Sequence, residues 1–461
     1  MKFKIQIVIE NDEGPDIIEE ILHLEREELS LATAGLTLDD SKKITSVVQK
    51  IMVKNQVIDF INKNRACIEC TKPQSIAGYH EIKYRTLFGK LDIRSPRLNT
   101  CKCLNNSSKS FSPLVTILSD RTSPELNYLQ TKWASLMSYG VTTNILNEIL
   151  PVNIGSTSVH NKATEVASKI EAEQGDEHFS YIDVCQNDWE KLPKPDKPIT
   201  VGIDGGFVHA RDGCNRKAGW FEIIVGKSLQ KDSAPSRFGF VTSYDTKPKR
   251  KLHDMLMANG LQMNQRIIFL SDGGDNVRDL QHMLSPHSEH ILDWFHITMR
   301  ITVIKQMIKG IVANKAKIIE KEITSVKWHL WHGNAYRALK ILEHLMFDYD
   351  DEDKLTQKEK NLWKTVLEFN NYIEANQGYV VCYADRHRYG EHIATGFVES
   401  TVNELISKRM VKKQQMRWTK KGAHLLLQLR VKTLNNELRD VFCKWYPGLQ
   451  AVNEGVTLKA A

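Results

Sequence analysis

Two apolar segments near the middle of this chain end in the same way. Ile199-Thr-Val-Gly-Ile-Asp204 runs into Gly205 and Gly206, and Arg266-Ile-Ile-Phe-Leu-Ser271 runs into Asp272, Gly273 and Gly274. A short β-branched run closed by glycines reads as a buried strand that stops abruptly and leaves its last polar side chain at the sheet edge. A lone Asp-Gly is most simply a turn. Two strands that each deliver an aspartate to a glycine turn predict instead that Asp204 and Asp272 converge at one end of a sheet, where hard divalent cations find oxygen ligands.

The order of the surrounding elements says what kind of sheet this is. A polar connection with Pro193, Pro195 and Pro198 marks the main boundary, within a linker at 179–198. Beyond it the patterns predict strands at 199–204, 221–226 and 237–242, a helix near 247–259, a strand at 266–271, a helix near 275–284 and a strand at 289–293. That β-β-β-α-β-α-β order is the α/β, ribonuclease H-like one, in which the first and fourth strands are neighbours. The catalytic body is then 199–300 with 386–440, interrupted by an all-helical insertion at 301–385 that contains Trp328, Trp331 and Trp363. His329 and His332 in that insertion read as packing or surface residues, and the acidic stretch 348–353 as a solvated loop.

At 461 residues the chain exceeds one ordinary core, so further domains precede this body. Residues 1–63 read as a helical region without chemistry. In 64–112, Cys67-x-x-Cys70 and Cys101-x-Cys103 flank two alternating strands across Phe88-Gly89, the pattern of a ribbon held by structural zinc. Reduced, unligated cysteines are the other reading, because Cys-x-Cys is an irregular knuckle. In 113–178 three short helices are broken at Gly140 and Pro151. They fit a helix-turn-helix whose third helix, from Ser156, enters a DNA groove, or equally a plain helical packing unit.

Near the other end Lys408, Arg409, Lys412, Lys413, Arg417, Lys420 and Lys421 fall within 14 residues around Trp418. Such density suits a phosphate backbone, with a solvated face as the alternative. The net charge of +7 permits a polyanionic partner. No stretch is apolar enough to span a bilayer and the start does not read as a signal peptide, so a cytoplasmic location without a membrane partner is expected, nucleoid-associated when on DNA. Glu399 opens a helix beside Val398 and Val402, and 441–461 reads as a C-terminal tail.

Ile-Asp-Gly-Gly (203–206), Phe-Glu-Ile-Ile-Val-Gly-Lys (221–227), Leu-Ser-Asp-Gly-Gly (270–274), His-Ile-Leu-Asp-Trp-Phe-His (290–296), Lys-Trp-His-Leu-Trp-His-Gly-Asn (327–334) and Val-Glu-Ser-Thr-Val-Asn (398–403) together resemble a bacterial insertion-sequence DDE transposase of the Kra-type family, distantly similar to Mutator-like transposases. The resemblance implies a catalytic triad of Asp204, Asp272 and Glu399, with Asp293 and His296 supporting it, and Asp293 as the competitor for a metal-ligand role. It implies double-stranded DNA partners, both element ends and target, and a homo-oligomer on DNA. Two Mg²⁺ ions, or Mn²⁺, held about 4 Å apart by the triad would stabilise the entering and leaving oxygens of an in-line displacement. A non-catalytic DNA-binding descendant and a structure-selective nuclease of the same fold are the alternatives.

Overall fold

The structure is a computed structural model that describes residues 1–10, 15–26, 29–31, 33–103, 109–178, 181, 197–211, 219–230, 234–262, 264–282, 288–347, 355–412 and 416–449. Its contacts divide the chain into two compact units, 1–166 with 437–461, and 167–436.

The first unit opens on a hairpin of β1 (Lys2–Ile9) and β2 (Ile17–Glu25), so the reading of 1–63 as a helical region is corrected for 2–9 and 17–25. The reason is a bulge. The register shifts between Ile5 and Gln6, and Ile21 is left without an opposite residue. The skipped residue breaks the apolar alternation into something closer to helical spacing. Helix α1 (Leu38–Lys63) follows, started by a capping box between Thr37 and Asp40. Strands β3 (Ile76–Thr86), β4 (Gly89–Asn99) and β5 (Ser110–Phe111) form an antiparallel sheet. Gly89 closes its hairpin at φ +120°, a backbone conformation that side chains disfavour.

Helices α2 (Pro113–Ile117), α3 (Pro124–Leu136), α4 (Tyr139–Ile149) and α5 (Ser156–Glu173) come next. Ser123 and Ser138 cap α3 and α4, and the Asn147 side chain closes the turn before α5 by hydrogen bonds of 3.0 Å to both backbone groups of Ile154. The segment read as a tail contains a helix, Leu438–Trp445, that packs on α3: Phe442 meets Tyr128 edge-on, and Arg439 grips Glu125 through two 2.7 Å bonds.

The second unit is built on a mixed five-stranded sheet. β6 (Ile199–His209), β7 (Trp220–Leu229) and β8 (Ser236–Val241) are antiparallel neighbours, while β9 (Ile267–Ser271) and β10 (Glu289–Leu292) run parallel to β6 on its other side. The first and fourth strands therefore lie side by side. One face, with Val201 and Ile203, is covered by α6 (Pro248–Ala258) and α7 (Asp275–His282).

The opposite face is shared. Ile268 and Leu270 of β9 and Ile291 and Leu292 of β10 join one core with α8 (Trp294–Ile308), α9 (Ala313–Trp331), α10 (Ala335–Phe347), α11 (Gln357–Ala375) and α12 (Tyr383–Arg388). Val208, Ile223 and Val225 pack instead under a π-helical segment (Asn403–Val411), which continues from α13 (Gly396–Val402), and under α14 (Lys420–Leu434). The helical region thus completes its core on the sheet rather than forming one apart from it. Among the described residues no helix is long and apolar enough to cross a membrane.

Candidate active site and metal centre

Gly202 on β6 pairs with Leu270 on β9, and two residues further on each chain reaches an aspartate, Asp204 and Asp272. Continuing that parallel register sets Asp272, just past the end of β9, beside Asp204, which lies inside β6; the strand runs on through Gly205 and Gly206 to His209, so the expectation that it stops at Asp204 is corrected. Side chains alternate along β6, so Gly202, Asp204 and Gly206 share a face. Methyl groups at the two glycines would collide with α13 and its continuation: at Gly202 with Val398 and, at 2.7 Å, with Phe397; at Gly206 with Ile406 at 2.9 Å. Two missing side chains around one aspartate let a helix lie against the strand. That helix carries Glu399, next to Val398 and exposed.

Asp204 is half-buried, its Oδ1 accepting the Gly205 N–H at 2.7 Å. Burial pushes its pKa above the ordinary carboxylate value; the Gly205 N–H and His296 oppose this, while Asp272 and Asp293 add to it. Asp272 is exposed at the mouth of its turn, where Oδ1 accepts the Gly274 N–H at 3.1 Å and Gly273 adopts φ +86°. Sequence reading missed what fixes this turn. Ser271 Oγ accepts the Gly273 N–H at 3.1 Å and lies 2.9 Å from Nε2 of buried His290 on the adjacent strand.

Asp293 is fully buried as the N-cap of α8. Its Oδ1 accepts from Phe295 N at 2.8 Å and Thr395 N at 3.1 Å; its Oδ2 accepts from the Thr395 hydroxyl and faces His296 Nε2 at 3.6 Å. Burial raises its pKa too, against the hydrogen bonds from Thr395. With both oxygens engaged, Asp293 serves as a tie to the residue that precedes α13. His296 stands beside it, partly exposed.

The basic segment divides. Lys408, Lys412, Arg417, Lys420 and Lys421 are exposed, and Lys413 lies outside the described residues. Arg409 is wholly buried, its guanidinium 5.4 Å from the Trp418 ring, which corrects its place among outward-facing cations. Trp418 is buried as well, bonded through its backbone to His209 and Arg211 at the end of β6. The side chain of Arg430, also buried, donates to the carbonyls of Glu404 and Leu405 within the π-helical segment. That satisfies acceptors which an i→i+5 helix holds less well.

In the first unit the four ribbon sulfurs come together. Cys67, Cys70, Cys101 and Cys103 place every Sγ within 4.8 Å of the others, with Cys67–Cys103 at 3.4 Å, Cys70–Cys101 at 3.5 Å and Cys101–Cys103 at 3.1 Å. Zinc bonded to four thiolates at about 2.3 Å asks for edges of about 3.8 Å, which small side-chain shifts supply. The Cys103 backbone N–H and neighbouring thiols pull the Cys101 thiol down to about 6; Cys67 is lowered chiefly by the Cys70 backbone, and Cys103 is raised by hydrogen bonding to Cys101. Such a set could hold zinc.

Glu171, Asp245 and His424 also approach within 4.8 Å of one another, a cluster that sequence spacing gave no means of finding. The Lys251 ammonium already fills it, 2.9 and 3.0 Å from Glu171, 3.5 Å from Asp245 and 2.6 Å from Gln174. Against the cost of burial, His424 and Lys251 hold Glu171 down at about 2. The three predicted catalytic carboxylates are not drawn together this tightly. Asp204 lies within β6, Asp272 just past the end of β9, and Glu399 on the helix laid across β6.

No model of a known protein family matches the chain, and no curated protein matches it. Among solved structures, the Drosophila P element transposase strand transfer complex is similar over 68% of this chain and 93% of that chain, at a TM-score of 0.32 and 10% identity. A likeness at this level carries no argument about activity.

Proposed function

We propose that the protein is a divalent-metal-dependent DNA transposase with a ribonuclease H-like catalytic body, Asp204, Asp272 and Glu399 forming its active site. The observation that carries this reading is the common register that sets Asp272, just past the end of β9, beside Asp204 within the adjacent parallel strand β6, with the helix of Glu399 seated on the two glycines around Asp204. The acid group fits a cation. Asp204 is pushed toward its neutral form by burial and by the carboxylates of Asp272 and Asp293, against the Gly205 N–H and His296. Asp204, Asp272 and Glu399 would hold Mg²⁺, which supplies charge neutralisation at the scissile phosphate when bound.

The chain's own residues do the rest. Asp293 and Thr395 hold the start of α13 in place, and Ser271 with His290 sets the Asp272 turn. Lys408, Lys412, Arg417, Lys420 and Lys421 give a basic surface for the phosphate backbone, and the exposed first turn of α5, Ser156 to Ser158, suits a groove. The four cysteines would carry structural zinc. Water would open the phosphodiester at an element end, releasing a 3′-hydroxyl; that hydroxyl would attack a target phosphorus with loss of its proton, the new P–O bond forming as the bond to the target strand's 3′-oxygen breaks and that oxygen takes up a proton, so no covalent protein–DNA bond is needed. Joining two ends calls for more than one copy of the chain.

The test is a plasmid carrying the flanking genomic ends, incubated with Mg²⁺. Asp204→Asn, Asp272→Asn and Glu399→Gln are each expected to lose nicking while keeping DNA binding. Full activity in any one variant removes that residue from the site, and cleavage without strand-transfer products replaces transposase by nuclease.

A further inference from the structure

The turn that carries Asp272 is met by the helical region as well as by the sheet. Asn376 is the C-cap of α11 and is only 5% exposed. Its Nδ2 donates to the Tyr372 carbonyl at 2.9 Å, which fixes the amide and leaves Oδ1 turned toward Gly273. A methyl group at Gly273 would run into that oxygen, and would lie 2.8 Å from Asn376 Cγ and 2.9 Å from the Leu292 side chain. The glycine's hydrogen points where the methyl would stand, so the amide oxygen meets a Cα–H there. Among the described residues Oδ1, although buried, accepts no N–H or O–H hydrogen bond. Native structures keep few such acceptors, because each loses its water without a full replacement.

Two neighbours show that this end of α11 faces the acidic residues. One turn earlier, burial raises the pKa of the Tyr372 hydroxyl; Arg300, 4.2 Å from the ring centre, opposes this, and Asp272 and Asp293 add to it. Three residues later, the Tyr379 ring lies 4.7 Å from that of His290, the residue that meets Ser271. The turn needs such support. Gly273 sits at φ +86° and is followed by a second glycine, so its own backbone restricts it little.

We propose that Asn376 is a positioning residue of the candidate active site: pressed against Gly273, it holds the Gly273–Gly274 turn in the conformation that aims Asp272 at a divalent cation shared with Asp204. The proposal rests on the metal-site reading above. Residues that stand behind a metal ligand and fix its direction typically cost 10- to 100-fold in metal affinity or activity when removed.

Calorimetric titration of the full-length chain with Mn²⁺ tests this, with Asp272→Asn as the reference that lacks the site. Asn376→Ala is expected to weaken the Asp272-dependent binding about tenfold. The Mg²⁺ concentration for half-maximal nicking should rise by the same factor, while the rate at saturating Mg²⁺ stays near that of the wild type. Asn376→Ser, whose hydroxyl is too short to reach Gly273, should behave alike and serves if the alanine variant does not fold. Gly273→Ala should also weaken Mn²⁺ binding. Combined with Asn376→Ala it should cost less than the two single losses together, since the methyl and the amide oxygen compete for one space. Unchanged Mn²⁺ affinity in the Asn376 variants overturns the proposal. So does a loss of nicking that saturating Mg²⁺ does not restore, or full additivity with Gly273→Ala; all three leave the metal-site reading standing. An Asp272→Asn protein that binds Mn²⁺ as the wild type does defeats that reading and the proposal with it.

Discussion

The carboxylate of Asp293 accepts hydrogen bonds from both the backbone N–H and the hydroxyl of Thr395, 102 residues further along the chain. One buried side chain thereby fastens the start of α8 to the start of α13, across the whole helical region. Asp293→Ala would remove a helix cap and strand two polar groups of Thr395 in the interior, a loss of about 2–4 kcal/mol. Asp293→Asn keeps the Oδ1 acceptor and offers an amide N–H that the Thr395 hydroxyl can accept after rotating, and should lose far less. Chemical denaturation of the two variants checks the ordering, and equal stabilities would show that the tie is dispensable.

Gly202 and Gly206 make the seat for α13 and its continuation, and they should differ in tolerance. Gly202→Ala drives a methyl into Val398 and Phe397, packed residues with little room to yield, whereas Gly206→Ala meets the flexible end of Ile406. The first is expected to cost about 1–3 kcal/mol and most of the nicking activity, by lifting Glu399; the second should cost less on both counts. Parallel assays of melting and nicking decide this, and an active, stable Gly202→Ala protein contradicts the proposed seat.

Asp204 gives a pH-dependent signature. Its pKa is raised by burial in the folded state, so the native protein holds that proton more tightly than the unfolded chain does. The associated stability is present at low pH and lost as pH climbs from the ordinary aspartate range through the raised value. Asp204→Asn should therefore melt above the wild type at neutral pH without metal, by about 2–4 °C. Added Mg²⁺ should raise the wild-type melting temperature at pH 7.5, do so less at pH 5, and leave Asp204→Asn nearly unmoved. Equal Mg²⁺ shifts in both proteins at both pH values would separate the cation from this carboxylate.

For the ribbon, elemental analysis is expected to find one zinc per chain. Thiol ligands must lose protons to bind, so zinc retention should weaken as pH falls, and chelation should lower the stability of the unit formed by 1–166 and 437–461. Cys67→Ser should lose the metal. Zinc-free protein of unaltered stability would mean that the thiols are spectators.

The basic segment separates phosphate binding from packing. Replacing Lys412, Lys420 or Lys421 by alanine should leave melting unchanged and lower the salt dependence of DNA binding by about one unit of slope for each phosphate that is no longer neutralised. Arg409→Ala should instead destabilise by about 2 kcal/mol or more, since it empties a buried site against Trp418. A salt titration alongside a melting curve distinguishes the two behaviours, and an Arg409 variant that weakens DNA binding without affecting melting would return it to the surface set.

What the sequence determined by itself was local: five strands in order, one of them running into Asp272-Gly-Gly, and two cysteine pairs bracketing a hairpin, all written in residue types a few positions apart; that β6 continues past Asp204-Gly-Gly to His209 was not legible. The tertiary structure decided everything that depends on who stands opposite. It turned 17–25 into a strand by giving it β1 as partner, sent Arg409 and Trp418 inward, and filled the Glu171–Asp245–His424 cluster with an ammonium from Lys251. It also spent both oxygens of Asp293 on Thr395 and its neighbours. The physical reason is that periodicity records which way a side chain can point, whereas burial and charge pairing depend on segments tens to hundreds of residues apart meeting in space, which no local pattern encodes.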